Sequence, residues 1–235
     1  MNNHMYPKPI FRNAGDRGLL VEYGSDIDPA VNQKVRSMAA ALQNHRSDGV
    51  VDVVPAYRSM LVVYDPAATD IDALQKVLLT LEKQLPELPV STPVVVDIPV
   101  CYEGEYGPDM DAVASRTGLT AQEVARIHSR PEYMIYMIGF TPGFPFLGGL
   151  PKSLHVPRLE TPRLSVPAGS VAIANNQTGI YPQSTPGGWH LIGQTPLRLF
   201  TPERTNPIPY QPGDRIRFRP ISPLDFHRLA AEEAA

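Results

Sequence analysis

Between Leu164 and Leu197 the chain carries Asn, Gln, Thr, Ser, Tyr, Trp and His among repeated glycines and prolines, and no Asp, Glu, Lys or Arg. Tyr181 and His190 are its only ionisable side chains. A second charge-free stretch, YMIYMIGFTPGFPFLGGLP, runs from Tyr133 to Pro151. The segment between them, KSLHVPRLETPR, brings Lys152, His155, Arg158 and Arg163. If the neutral stretches line one cleft, its walls are aromatic and amide-rich with guanidinium groups at the rim. That chemistry suits a small amide or lactam: neutral donors and acceptors pair with the amide, and an Arg pairs with a carboxylate. Neutral walls also avoid burying a charge without a partner.

Each of these residues has a plainer reading. Phe140, Phe144 and Phe146 are equally at home in a barrel core. Trp189 reads as a packing anchor before it reads as a substrate platform. His190 alternates with Trp189 along a strand, so one faces inward and the other outward. Facing the cleft, His190 is the nearby group that titrates near neutrality and could move a proton. Facing solvent, it is idle. Arg158 and Arg163 could be surface ion-pair residues around Glu160. Gln177, Thr178 and Tyr181 could be satisfying irregular backbone.

The elements that must position these residues differ between front and back. In the front, Asp28 can cap a helix with Pro29 at its first position, and Val31, Val35, Met38, Ala39 and Leu42 form its buried stripe. Thr69 or Asp70 caps a second helix, whose inward face is Ile71, Leu74, Leu78, Leu81 and Leu85. Gly15–Gly18 reads as a hairpin turn, and VVDVVPAYRSMLVVYD as two strands. Together these predict a sheet with two helices on one side. PELPVSTP, Pro86 to Pro93, is a proline-spaced connector. Behind it, PVVVDIPVCY predicts a strand, and two short helices follow, the first opened by Pro108 and ended by Gly118. The second has a capping box of Thr120 and Glu123, with Leu119 and Val124 placed as a hydrophobic staple. Sixteen of the 26 prolines lie between Pro131 and Pro223, which excludes a helical back part. YMIYMIGF, SVAIAN, WHLIG, LRLF and RIRFRPI predict short strands of a closed β-barrel or a sandwich.

The totals exclude several classes. The 235 residues carry a net charge of −3, without the basic excess that neutralises phosphates, so nucleic acid is not an expected partner. No apolar run approaches a membrane span, and the first residues lack the pattern of a signal peptide. The one cysteine, Cys101, fits a cytoplasmic chain and has no partner at metal-ligand spacing, so no metal site is expected. It reads as a small buried residue at a strand end. There is no Gly-x-x-x-x-Gly-Lys-Ser/Thr loop, no Gly-x-Ser-x-Gly elbow and no His-Glu-x-x-His.

Four segments then carry a family resemblance: CYEGEYGPDMDAVASRTGLTAQEVARIH, GFTPGFPFLGGLP, PRLETPRLSVPAGSVAIANNQTGIYP and STPGGWHLIGQTPLRLF. They closely resemble the allophanate hydrolase subunit 1 family, with the match running from about Phe11 to Ile221. One departure is IANNQTG, where family members usually have a glycine near Asn175; Asn tolerates a left-handed backbone best among the other residues. The resemblance implies an α+β protein: a small N-terminal α/β-sandwich domain, residues 1–90, then a cyclophilin-like β-barrel domain, residues 91–235. The family includes the B component of ATP-dependent 5-oxoprolinase, an enzyme that opens 5-oxoproline to glutamate. It therefore implies two partner proteins, the A and C components of that enzyme, of which C is of the allophanate hydrolase subunit 2 family. It also implies ATP used by the complex rather than by this chain alone. The family further includes a sporulation inhibitor of a histidine kinase and proteins of the allophanate and urea carboxylase pathway, and these remain alternatives. On this reading the cleft comprises Phe140, Phe144, Arg158, Arg163, Gln177, Thr178, Tyr181 and His190. The arginines hold a carboxylate, Gln177 and Tyr181 bond the lactam, and His190 transfers a proton.

Overall fold

The computed structural model describes residues 4–85 and 92–234. It forms two units, Met1–Thr92 and Pro93–Ala235. Residues 86–91 of the proline-spaced connector lie outside the described residues.

The first unit contains β1 (Met5–Asn13), β2 (Gly18–Gly24), α1 (Pro29–His45), β3 (Val50–Pro55), β4 (Ser59–Tyr64) and α2 (Ile71–Gln84). The strands form an antiparallel sheet in the order β1-β2-β4-β3. Alternate residues of the two central strands, Leu19, Val21 and Tyr23 with Met60, Val62 and Tyr64, pack against Val35, Met38 and Leu42 of α1 and Leu74, Leu78 and Leu81 of α2. Asp28 caps α1, accepting from the Ala30 N–H at 2.8 Å and the Val31 N–H at 3.2 Å. Asp70, rather than Thr69, caps α2 through the Ala73 N–H.

The second unit contains β5 (Val95–Val100), α3 (Met110–Thr117), α4 (Ala121–Ser129), β6 (Glu132–Ile138), β7 (Pro145–Gly148), β8 (Arg163–Val166), β9 (Ser170–Ala174), β10 (Gln177–Ile180), β11 (Thr185–Gly187), β12 (His190–Gln194), β13 (Arg215–Pro220) and α5 (Pro223–Ala234). Seven strands form one sheet in the order β12-β9-β10-β7-β6-β13-β5. Its two edges meet where Cys101 and Gln194 exchange backbone hydrogen bonds of 2.9 Å each. That bridge nearly closes the sheet into a barrel, the architecture expected of a cyclophilin-like domain. A side chain at Gly193 would strike Val100 and the Cys101 carbonyl, so the closure needs glycine there. β8 and β11 form a separate two-stranded ribbon.

Strand alternation gives the barrel two apolar layers. Val171, Ile173, Ile180 and Ile192 join the interior with Ile98, Tyr133, Ile135 and Phe218. Ala172, Ala174, Tyr181, Trp189 and Leu191 form a second cluster with Phe144 and Val166. The Thr120–Glu123 capping box is formed, and Gly118 ends α3 at φ +71°. α3 begins at Met110, two residues after Pro108, with Asp109 as its N-cap residue. LRLF is not a strand: Pro196 and Pro202 bracket it and deny ladder donors, and Leu199 is buried from irregular backbone. Two proline- and glycine-bearing segments, β7 and β10, are strands instead. Gly179 has no side chain to collide with Phe144 and the Pro145 carbonyl, which lets the strands approach.

His128 of α4 is fully buried and ties the helix to the barrel. Thr178 Oγ1 donates to the Ala172 carbonyl at 3.0 Å, so it accepts from His128 Nε2–H at 2.8 Å. His128 Nδ1 then accepts from the Tyr102 hydroxyl at 2.8 Å. The neutral ring is fully bonded, and burial pushes its pKa down from 6.5 to about 3. The unfolded chain takes up this proton below pH 6.5 while the folded chain does not. Its contribution is complete above that pH and falls as pH drops, by roughly 1.4 kcal/mol per unit. Equilibrium unfolding at pH 6.5 and pH 5 checks this; we expect a loss of about 2 kcal/mol, and equal stability at the two pH values would contradict it.

Candidate functional site

The two charge-free stretches meet on the outer apolar layer of the barrel. They enclose a cleft of about 240 Å³, lined by Phe140, Phe144 and Phe146 from the first and by Tyr181 and Pro186–Trp189 from the second, with Arg158 and Pro162 from the segment between. The aromatic rings are in edge contact: Phe144 lies 5.2 Å from Tyr181 and 5.7 Å from Trp189, centroid to centroid. A larger cavity, about 610 Å³, opens beside α3 and α4, with apolar walls including Tyr102, Met110 and Ala125. None of the candidate site residues read from the sequence lines it. The smaller cleft is the candidate site because aromatic faces, a guanidinium and a strained backbone coincide there.

The strain is at Phe140. Its φ of +65° lies in the left-handed region, which costs a bulky residue about 1–3 kcal/mol. The turn around it is held by Gly139 N–H to the Phe144 carbonyl at 3.1 Å and Phe144 N–H to the Thr141 carbonyl at 3.1 Å. The strain holds the ring at the mouth of the cleft, 63% exposed, edge-on to Phe144 and Tyr181.

Tyr181 is buried at the base. Burial pushes its phenol up; Arg158, the Trp189 backbone N–H and Arg163 pull the other way without reversing it. The group therefore stays protonated at neutral pH, its oxygen accepting from the Trp189 N–H and its O–H free to turn to an acceptor. Arg158 lies over the Trp189 ring, 5.9 Å from its centroid, and has no carboxylate in ion-pair range among the described residues. The ion pair considered for the arginines with Glu160 is not formed among the described residues. Arg163 instead donates from Nη2 to Asp109 Oδ1 at 2.6 Å.

Four residues expected in the cleft do not line it: Arg163, which is drawn to Asp109, Gln177, and, for one shared reason, Thr178 and His190. Thr178 on β10 and His190 on β12 both stand opposite Ile173 of β9, which points into the barrel, so both point there too. Thr178 is fully buried against His128. His190 is 2% exposed; its Nε2–H donates to the Pro157 carbonyl at 3.0 Å, and Nδ1 is a buried acceptor without a hydrogen-bond partner. Trp189 takes the outward position, but it too is buried. Gln177 is half-buried at the start of β10 and does not line the cleft. Asn175 holds the β9–β10 hairpin at φ +51°, the conformation for which the glycine-to-Asn departure was read.

Sequence reasoning passed over Pro162 and Gly187, which line the cleft, and Asp109, which anchors Arg163. The repeated glycines of PGGWH were the available signal for Gly187; a Cβ there would collide with the Tyr181 hydroxyl. Asp109 is 54 residues from Arg163, and no local pattern links them. Among the described residues no group of His, Cys, Asp and Glu could hold a metal ion.

The placement of Thr178 has a direct check. Thr178→Val keeps the shape but leaves His128 Nε2–H without an acceptor. We expect a stability loss of about 1–3 kcal/mol in urea unfolding; an unchanged midpoint would return Thr178 to the list of cleft residues.

Comparison with known proteins agrees with this architecture. The family described as "Carboxyltransferase domain, subdomain C and D" matches residues 9–210. The chain is 42% identical to the 5-oxoprolinase B subunit of Bacillus subtilis, over 93% of this chain and 95% of that relative. It is 40% identical to the 5-oxoprolinase B subunit of Escherichia coli O157:H7, over 88% and 93%. Among solved structures, TTHA0988 superposes with a TM-score of 0.77 at 39% identity, covering 88% of this chain. The chain spans only 40% of the length of TTHA0988. Barrel, motifs and relatives agree: the chain belongs to the carboxyltransferase subdomain C and D family, the family its allophanate hydrolase subunit 1 motifs resemble.

Proposed function

We propose that the chain is the B subunit of an ATP-dependent 5-oxoprolinase. The observation that carries this reading is a neutral, aromatic cleft of about 240 Å³ with one uncompensated guanidinium, Arg158, in its wall. 5-Oxoproline is a flat five-membered lactam with one carboxylate. Phe140, Phe144 and Trp189 supply apolar faces for the ring, Arg158 pairs with the carboxylate, and the Tyr181 hydroxyl donates to the lactam carbonyl. The relatives named as 5-oxoprolinase components support the same substrate.

Ring opening adds water across the lactam C–N bond and gives glutamate. The nitrogen leaves with a proton, and charge builds on the carbonyl oxygen that Tyr181 faces. ATP is a co-substrate, split to ADP and phosphate with a second water as the ring opens, and the sequence has no Gly-x-x-x-x-Gly-Lys-Ser/Thr motif to hold it. We place the nucleotide on a partner or at a shared site, and the chain alone is inactive. The partners in this reading are the A and C components of 5-oxoprolinase, the latter of the allophanate hydrolase subunit 2 family, working in the cytoplasm. Two apolar side chains support a cover over the site. Phe140 at the mouth is 63% exposed, and Leu164 on the ribbon is 92% exposed. A partner seated on them buries both and shuts water out of the cleft. No described helix is long and apolar enough to cross a membrane.

The test is glutamate formation from 5-oxoproline by the chain co-purified with the A and C components, with and without ATP. We expect ATP-dependent activity that is lost when any one of the three proteins is omitted. Arg158→Ala should raise KM about 10- to 100-fold, the loss of a charged hydrogen bond. Full activity of the complex lacking this chain would refute the assignment.

A further inference from the structure

The Tyr181 hydroxyl stands against a residue that has no side chain. A Cβ added to Gly187 would strike that hydroxyl, and would lie 2.9 Å from each of the ring atoms Cε1 and Cζ. The Gly187 backbone is outside the left-handed region, so turn geometry does not call for glycine there. The next residue is the contrast: a Cβ on Gly188 would meet Pro162 at 3.5 Å, an ordinary contact. Gly187 and Tyr181 both line the cleft, so the place where a side chain is forbidden is the place where the phenol oxygen meets the ribbon.

Neither side of this contact is free to yield. The Tyr181 N–H donates to the Ser170 carbonyl at 2.9 Å, and the Tyr181 carbonyl accepts from the Gly169 N–H at 2.6 Å. Its ring is buried in the outer apolar cluster, edge-on to Phe144. The ribbon is pinned as well. Gly187 on β11 stands opposite Arg163 on β8. Arg163 is paired with Asp109 at 2.6 Å, and Asp109 accepts the Leu191 N–H of β12 at 2.7 Å. The Gly188 carbonyl accepts from the Leu159 N–H at 2.8 Å. A stiff phenol packed between two fixed supports has one seat for its oxygen, and a methyl group at position 187 would push the oxygen out of it.

We propose that Gly187 is a positioning residue: its missing side chain seats the Tyr181 hydroxyl in the cleft wall, where the O–H reaches the lactam carbonyl oxygen. The assignment rests on the 5-oxoprolinase reading and says what fixes the donor within that site. Charge grows on the carbonyl oxygen as water attacks, and a donor displaced by a fraction of an ångström loses its hold on that charge. The effect of the displacement therefore falls on kcat more than on KM.

The experiment is a double-mutant cycle in the assembled three-component enzyme, with steady-state kinetics on 5-oxoproline. Tyr181→Phe removes the donor and should lower kcat about 100-fold. Gly187→Ala should lower kcat about 10- to 100-fold and change KM by less than about threefold. In the Tyr181→Phe background the same alanine has no hydroxyl to displace and should lower kcat by less than about twofold. Trp189 is the only Trp of the chain and lies in the same wall, so unchanged emission in Gly187→Ala checks that the ribbon is in place. If Gly187→Ala does not fold, the test passes to the double variant: folding with the kcat of Tyr181→Phe upholds the assignment, and failure to fold overturns it. An alanine that costs the same factor in both backgrounds would make Gly187 a packing residue and overturn the assignment. So would a Tyr181→Phe enzyme with unchanged kcat. A wild-type complex without 5-oxoprolinase activity would overturn the underlying reading, and this inference with it. An active wild type with an unaffected Gly187→Ala variant would overturn only this inference.

Discussion

A barrel strand sends successive side chains to opposite sides, and once the barrel closes there is no freedom to exchange them. The Cys101–Gln194 bridge nearly closes this one, so β9, β10 and β12 each have an interior side and an outer side set by parity. The interior side takes Val171, Ile173, Ile180 and Ile192. The outer side takes Tyr181 and Trp189, and only there can they meet Phe144 and the β8–β11 ribbon. The cleft is what remains between that aromatic layer and the ribbon. A register slip of one residue would place Tyr181 in the core and Thr178 in the cleft.

The same closure explains the electrostatics. Polar groups turned inward must be satisfied without water, and His128, Tyr102 and Thr178 do so as a neutral chain of donors and acceptors. The outer layer is bounded by guanidinium groups in two states. Asp109 balances Arg163; Arg158 lies on Trp189 without a carboxylate. Only Arg158 lines the cleft, and a ligand with a single carboxylate matches that one uncompensated guanidinium. The strained Phe140 is the cost of putting an aromatic edge at the mouth, and its backbone ties to Phe144 hold it there.

Features that depend on neighbours in the chain were legible in the sequence. Asp28 before Pro29, the Thr120–Glu123 box and the α1 stripe from Val31 to Leu42 follow from helical spacing, and each is present. The lack of charge in two stretches was also legible, because burying them against each other requires it. What was not legible is long-range. Which side of β10 and β12 faces the barrel interior depends on how seven strands close, so Thr178 and His190 were placed on the wrong side. The partner of Arg163 comes from α3, and no local pattern relates Asp109 to it. β7 and β10 were hidden by Pro145 and Gly179, residues that argue against strands unless a close approach such as that of Phe144 calls for them.

The central claim is that the outer-face cleft between the aromatic layer and the ribbon receives the lactam. A crystal structure of the chain assembled with its partner proteins and bound 5-oxoproline measures this directly. The account predicts ligand density against Tyr181 and Trp189, with the carboxylate on Arg158. Density in the larger cavity beside α3 and α4, or on a partner with this cleft filled by side chains, would contradict it.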